Sequence, residues 1–285
     1  MQKFLSFVKF AHTIFALPFA LVGYFMAAVH FDAGFQWLDL LKVLLAMIFT
    51  RNAAMGFNRY VDRHIDAQND RTVKREIPSG KISANAAGWF VIINVVAFIV
   101  TTWFINLLCF YLSFIAIAVV LGYSLTKRFT WLCHFILGLG LSLAPIGAFL
   151  AVTGTFHFVP VMLSFAVLLW VTGFDIIYAL QDDQFDKEQG LFSVPAYFGR
   201  KAALWLSRLI HLGSALLILF MGVLLELNWI YFSGASIFAL LLLYQQLIVK
   251  AHDLKRVNIA FFTTNGIASI VYAIFTIISF YHSMV

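Results

Sequence analysis

The stretch Pro160–Asp186, PVMLSFAVLLWVTGFDIIYALQDDQFD, sets a long apolar run directly against a burst of carboxylates. About 20 predominantly apolar residues are enough to cross a hydrocarbon core of roughly 30 Å as one helix. Only Asp175 interrupts the run before Gln181. Insertion scales charge an aspartate about 2.5–3.5 kcal/mol at the centre of a membrane helix, so a residue kept there reads as functional.

Runs of this kind recur along the chain. Read between polar breaks, they predict nine helices at roughly 11–30, 38–57, 84–106, 109–125, 132–152, 160–181, 202–225, 228–249 and 259–281. Of the 285 residues, 62% are hydrophobic and 11% charged, and mean hydropathy is +0.93, whereas soluble domains carry about 25% charged residues. The expectation is an all-α, polytopic membrane protein with nine transmembrane helices around a central cavity, a single domain over residues 1–285. The apolar stretch from Ala11 to about Val29 follows Lys3 and Lys9, yet exceeds the roughly 7–15 residues of a signal-peptide core, so it is read as a retained helix. Cys109 and Cys133 have no metal-ligand spacing and fall near opposite membrane faces in the expected topology, so they are not expected to pair in a monomer.

If odd helices leave the cytoplasm and even ones return, segments 51–81, 126–131, 182–201 and 250–258 share the side of the N-terminus. They carry 15 of the 19 Lys and Arg residues, and the opposite loops carry none. Retention of basic residues in the cytoplasm therefore predicts a cytoplasmic N-terminus, an outer C-terminus and a multi-pass location in the cell inner (cytoplasmic) membrane. The same rule accounts for the net charge of +6 and the pI near 9.3, and nucleic acid is not expected as a partner. Lys42 is the exception, with a stem long enough to snorkel outward.

Retention does not explain the acidic residues. Nine of thirteen fall in two stretches on the same predicted side: Asp62, Asp66, Asp70 and Glu76, then Asp175, Asp182, Asp183, Asp186 and Glu188. In Asn58-Arg59-Tyr60-Val61-Asp62-Arg63-His64-Ile65-Asp66, the residues Asn58, Asp62 and Asp66 are four apart. Each step of four drifts only about 40° around a helix, so the three side chains share one face. Stacked like charges destabilise a helix by a few tenths of a kcal/mol, which a cation relieves. Tyr178, Asp182 and Asp186 repeat that rhythm, and Asp175 lies on the same ideal face. At an ideal rise, Asp175 is about 16 Å from Asp186, so one ion reaches both only if the helix breaks. Hard oxygen donors without histidine or thiol partners at metal spacing suit Mg2+, which commonly takes one or two carboxylates and completes its shell with water and phosphate oxygens.

Cations stand beside both clusters: Arg71 and Arg75 after the first, and Lys127 and Arg128 after the fourth helix. Guanidinium pairs with phosphate oxygens bidentately and lysine supplies a point charge. Topological retention is the competing reading for each. His12, in the stretch His12–Ala20, is read as a structural histidine ahead of a contact to an aromatic substrate. Tyr178 stays open between a site residue and a core tyrosine with a bonded hydroxyl. Glycines such as Gly138, Gly140, Gly147 and Gly154 are assigned to close helix packing.

The two acidic stretches resemble the signatures of the UbiA superfamily of intramembrane aromatic prenyltransferases, N-D-x-x-D-x-x-x-D and D-x-x-Y-x-x-x-D-x-x-x-D. The stretch from Arg71 to Gly80 is similar to the R-x-x-x-R-x-x-P-x-G that continues the first. The segments His12–Ala20 and Ala179–Pro195 resemble a bacterial branch described as 4-hydroxybenzoate polyprenyltransferase-like, some members of which serve a menaquinone route. One departure is Arg59, where many relatives carry aspartate.

The resemblance implies Mg2+-dependent transfer of a polyprenyl group from polyprenyl diphosphate to an aromatic acid in quinone biosynthesis, with a dihydroxynaphthoate as the alternative acceptor. It implies Mg2+ at Asn58, Asp62, Asp66, Asp182 and Asp186, diphosphate at Arg71, Arg75, Lys127 and Arg128, and catalytic roles for Asp175 and Tyr178. The expected partners are polyprenyl diphosphate, the aromatic acid and the lipid bilayer. A secondary transporter is the rival class, since intramembrane carboxylates also mark ion pathways. Transporter sites tend to lie at the bilayer midplane, whereas these carboxylates crowd one set of helix ends. A phosphatidyl-alcohol transferase fits poorly because its D-G-x-x-A-R opening is missing, and a non-catalytic quinone- or lipid-binding protein would release no diphosphate.

Overall fold

The structure, a computed structural model, describes Phe7 and residues 15–283. Among these residues eight helices are long and apolar enough to cross a membrane, and a shorter apolar helix precedes them. Helix α1 (Leu17–Phe25) runs into a wider π turn, Met26–His30. The spans are α2 (Trp37–Val61), α4 (Ala84–Trp103), α5 (Leu107–Thr126), α6 (Cys133–Thr153), α7 (Phe158–Ala179), α10 (Arg200–Leu224), α11 (Trp229–Ile248) and α12 (Asn265–His282), the last entered through a π segment, Ile259–Thr264. Short helices α3 (Arg63–Asp66), α8 (Asp183–Glu188) and α9 (Val194–Phe198) fill the polar connections. The expectation of nine apolar helices matches this order, although His12 lies outside the described residues.

The helix starts follow local chemistry. Ser83 and Asn106 cap α4 and α5 by accepting from the amides of Ala86 and Cys109, satisfying N–H groups that have no partner inside the helix. Asn228 does the same for α11 through the Ile230 amide. The sequence boundaries are met within a few residues, but α2 runs one turn further than expected, through Val61.

Helix α7 is the most enclosed span, with 67% of its apolar window buried. It is held between α6 and α10 at distances only glycine allows. A Cβ on Gly138 of α6 would meet the Leu168 carbonyl oxygen at 2.6 Å, and one on Gly173 would meet the His211 ring at 2.2 Å. Lipid tails are as apolar as leucine, so van der Waals packing and interhelical hydrogen bonds must drive helix association, and small residues permit both. Ser207 and Ser214 of α10 accordingly donate to the Gly173 and Ala166 carbonyls at 2.8 Å. Gly140 and Gly147 depart from the packing expectation: a Cβ on Gly147 would meet nothing within 4 Å, and both glycines line an internal space.

Candidate active site

Both carboxylate clusters sit where their helices break. Helix α2 ends at Val61 and α3 restarts at Arg63, yet the Asp62 and Asp66 amides still donate to the carbonyls four residues earlier, at 2.9 and 2.7 Å. That preserved spacing keeps Asn58, Asp62 and Asp66 along one wall. On the other side α7 tightens after Ala179 into a turn in which Gln181 and Asp182 bond three residues back, at 3.3 and 3.1 Å. The chain thereby changes course between Asp175 and Asp182, as one shared site requires.

The two walls enclose one cavity of about 310 Å3, lined by Asn58, Asp62, Asp66, Asp175, Tyr178, Asp182 and Asp186 together with Arg71, Arg75 and Lys127. Arg128 stands at its edge, donating to Asp62 at 2.9 Å. All the sequence-derived site residues therefore meet around a single space. Asp62 and Asp66 are 1% and 4% exposed, so their charges need partners. Lys127 Nζ lies 2.6 Å from Asp62, and Arg75 donates to both oxygens of Asp66 at 2.9 and 2.8 Å. Arg71 grips Asp182 through Nε, at 2.9 Å, and Nη2, and its Nη1 donates to the Tyr178 hydroxyl at 2.8 Å. Asn69 adds a bond to Asp182 at 3.2 Å, so the loop after the first cluster is tied to the second.

Burial works against the Arg71 charge, but hydrogen bonds to Asp182 and Tyr178 outweigh it and raise its pKa. Burial also pushes the Asp186 carboxyl above its ordinary value, reinforced by Asp182 and opposed by a hydrogen bond with Ser193. Tyr178 stacks on Phe261 with centroids 4.0 Å apart and lies under the Arg71 guanidinium. It serves as a seat for Arg71 as well as a wall of the cavity.

Arg59, the departure in the first motif, is buried and pairs with Glu76, so its charge is met within the protein. Asp183, facing away from the ideal helical face, is held by Arg200 at 2.7 and 2.8 Å and ties α8 to α10.

Five carboxylates line the cavity, and so do five cations, Arg51, Arg59, Arg71, Arg75 and Lys127. Their formal charges cancel, so a bound polyanion needs further positive charge. Each cluster supplies carboxylate oxygens, and Asn58 donates its Nδ2 to Asp62 at 3.2 Å. Among the described residues no three carboxylate, imidazole or thiol groups converge on one metal position. Two carboxylates per ion, with phosphate oxygens completing the shell, is the arrangement Mg2+ commonly takes, and the residues present fit it.

A second, apolar space of about 350 Å3 adjoins the first, sharing Arg51, Met55, Tyr123, Leu137 and Leu141 as walls. Val43, Met47, Arg51 and Met55, four apart on α2, line it from end to end, about 18 Å along the axis. Sequence reading missed Arg51, Tyr123, Asn69 and His134 as cavity residues. Arg51 carries the clearest signal, a cation inside an apolar span, which retention alone does not explain.

A sequence model of the UbiA prenyltransferase family matches residues 16–267. The chain is 33% identical over 243 residues to the 4-hydroxybenzoate octaprenyltransferase of Psychromonas ingrahamii, covering 84% of each. It is 30% identical to the enzyme of that name from Tolumonas auensis, covering 85% of each. The apo UbiA homolog from Aeropyrum pernix K1 superposes with a TM-score of 0.80 at 28% identity, over 96% of this chain and 98% of that one. A UbiA homolog from Archaeoglobus fulgidus bound to DMAPP and Mg2+ shares the fold, with a TM-score of 0.77 at 19% identity over 98% and 99% of the two chains.

Proposed function

Because the chain belongs to the UbiA prenyltransferase family, we propose that it transfers a polyprenyl group from polyprenyl diphosphate to an aromatic acid, 4-hydroxybenzoate or a close analogue, in quinone biosynthesis. The single observation that carries this reading is the junction of a charge-balanced polar cavity with an apolar chamber of similar size. A molecule with an anionic head and a long hydrocarbon tail fits both spaces at once. Binding sites place a few polar groups in a mostly apolar wall to fix orientation.

In this reading Arg71, Arg75, Lys127 and Arg128 face the diphosphate. Asn58, Asp62 and Asp66 on one wall, and Asp182 and Asp186 on the other, would hold Mg2+. When bound, Mg2+ supplies positive charge that offsets the charge developing on the departing diphosphate. The allylic C–O bond breaks with its electron pair leaving on diphosphate, and a ring carbon ortho to the phenol forms the new C–C bond and then loses its proton. Arg51, which lines both spaces, would contribute positive charge toward the carboxylate of the aromatic acid. Asp175 lies within the α7 span, before the turn that carries Asp182 and Asp186, and would face the aromatic ring. The apolar chamber keeps the tail and the reacting carbon from water, since water would otherwise capture the electrophile. Basic-residue asymmetry supports a cytoplasmic N-terminus and puts this cavity at the inner face of the cytoplasmic membrane.

The test is incubation of purified protein with Mg2+, labelled prenyl diphosphates of graded length, and a panel of hydroxybenzoates and dihydroxynaphthoates, with products read by mass spectrometry. A prenylated hydroxybenzoate is expected. A dihydroxynaphthoate product alone moves the enzyme to the menaquinone route, and the absence of any prenylated product contradicts the reading.

A further inference from the structure

His134 is buried at the start of α6, 3% exposed, and is the one side chain in hydrogen-bond contact with Asp175 among the described residues. Its Nδ1 lies 2.6 Å from Asp175 Oδ2, and its Nε2 lies 3.2 Å from the backbone nitrogen of Val194. The Val194 amide can only donate, so Nε2 carries a lone pair and the ring proton resides on Nδ1. Nδ1 thus donates to Asp175 and leaves the second carboxylate oxygen to the cavity that both residues line. A carboxylate that accepts a hydrogen bond in its charged form is favoured as the anion.

The partner that fixes this tautomer has its own attachments. Val194 ends the segment that begins at Leu191, whose amide donates to the Asp186 carbonyl at 2.8 Å, and the Phe192 amide donates to the Lys127 carbonyl at 2.7 Å. Cys133, beside His134, donates to the Phe192 carbonyl at 3.4 Å. The segment that orients the imidazole therefore touches the backbones of both Asp186 and Lys127.

We propose that His134 is a positioning residue for prenyl transfer: an imidazole oriented by the Val194 amide, whose Nδ1 hydrogen bond holds one oxygen of Asp175 and aims the other at the aromatic co-substrate. This rests on the functional reading above. It gives the aspartate inside the α7 span a fixed hydrogen-bond partner, and makes the geometry at the ring depend on the segment that frames the diphosphate end. Groups that orient a site residue typically change activity 10- to 100-fold when removed.

Two substitutions separate the arms of the imidazole. In His134→Asn the amide nitrogen falls near the position of Nδ1 and still reaches Asp175, whereas in His134→Gln the amide lies further out, toward Nε2 and Val194. With geranyl diphosphate, Mg2+ and 4-hydroxybenzoate, or whichever panel acceptor the parent uses, His134→Gln is expected to lower kcat about 10- to 100-fold. KM for geranyl diphosphate should change less than about threefold, since the lost interaction is not with that substrate. His134→Asn should recover at least about tenfold over the glutamine variant. In an Asp175→Asn background, His134→Gln should add little, because the two residues act as one unit.

A His134→Gln enzyme with the parent kcat, equal losses in the two variants, or an undiminished effect in the Asp175→Asn background each overturns the inference alone. A parent protein that forms no prenylated product overturns the functional reading and this inference with it.

Discussion

Asp182 and Arg71 form the ion pair on which the two clusters meet, so each removal has a distinct signature. Asp182→Asn or Asp62→Asn should reduce Mg2+-dependent diphosphate release by about 10²-fold or more, the scale seen when one preorganised electrostatic group is lost. Retention of full release would remove these residues from the site. Arg71→Lys keeps the charge but loses the fork that spans Asp182 and Tyr178, and Arg75→Ala loses both bonds to Asp66. Each should raise KM for prenyl diphosphate more than it lowers kcat, and unchanged kinetics would return the residue to the pool of charges that only set topology. The raised pKa of Asp186 has a definite sign. Its carboxyl takes up a proton at a higher pH than an ordinary aspartate, and that proton competes with the metal. The Mg2+ concentration for half-activation should therefore climb as pH falls, and the climb should begin at a higher pH than the ordinary aspartate range near about 4 would give. A half-activation concentration that stays flat until pH reaches the ordinary aspartate range would contradict the assignment. At this scale the sequence was legible where side chains repeat at helical spacing, as in Asn58, Asp62 and Asp66. It was not legible for His134 or Tyr123, single residues in apolar runs whose partners, Asp175 in the case of His134, lie on other helices.

Helix boundaries were readable because lipid demands long apolar runs with every backbone group satisfied internally. The breaks inside the motifs were not, since Asp62 and Asp182 interrupt their helices without proline or glycine at those positions. The turn after Ala179 follows instead from tertiary ties, with Asp182 bound by Arg71 and Asn69 and Asp183 by Arg200. Glycine spacing was equally ambiguous, because contact and cavity both call for a small residue. A pair of substitutions tells them apart. Gly173→Ala drives a methyl into the His211 ring and should destabilise the protein by about 1–3 kcal/mol, read as a lowered Tm in detergent. Gly147→Ala, in open space, should leave Tm within about 1 °C, a change well under 0.5 kcal/mol. Equal shifts would mean that the His211 ring does not close on α7 at Gly173.

For the whole molecule, the junction of the two chambers is the feature that no single motif encodes. The face Val43, Met47, Arg51, Met55 and Arg59 of α2 passes from the apolar space into the polar one. Its period of four is visible in the sequence, but what it faces depends on α4, α5 and α6. Gly147→Trp should fill part of the apolar chamber and shift preference toward shorter prenyl diphosphates, measured as the ratio of kcat/KM across a chain-length series. An unchanged ratio would place the tail elsewhere. The most direct test asks whether both carboxylate clusters grip one ligand. Mg2+-dependent binding of a non-hydrolysable geranyl thiolodiphosphate, measured for the parent, Asp62→Asn, Asp182→Asn and the double variant, completes a thermodynamic cycle. Shared coordination predicts a coupling of at least about 0.5–3 kcal/mol, with the double variant little worse than either single one. Losses that add within about 0.5 kcal/mol would show two independent sites and contradict the account.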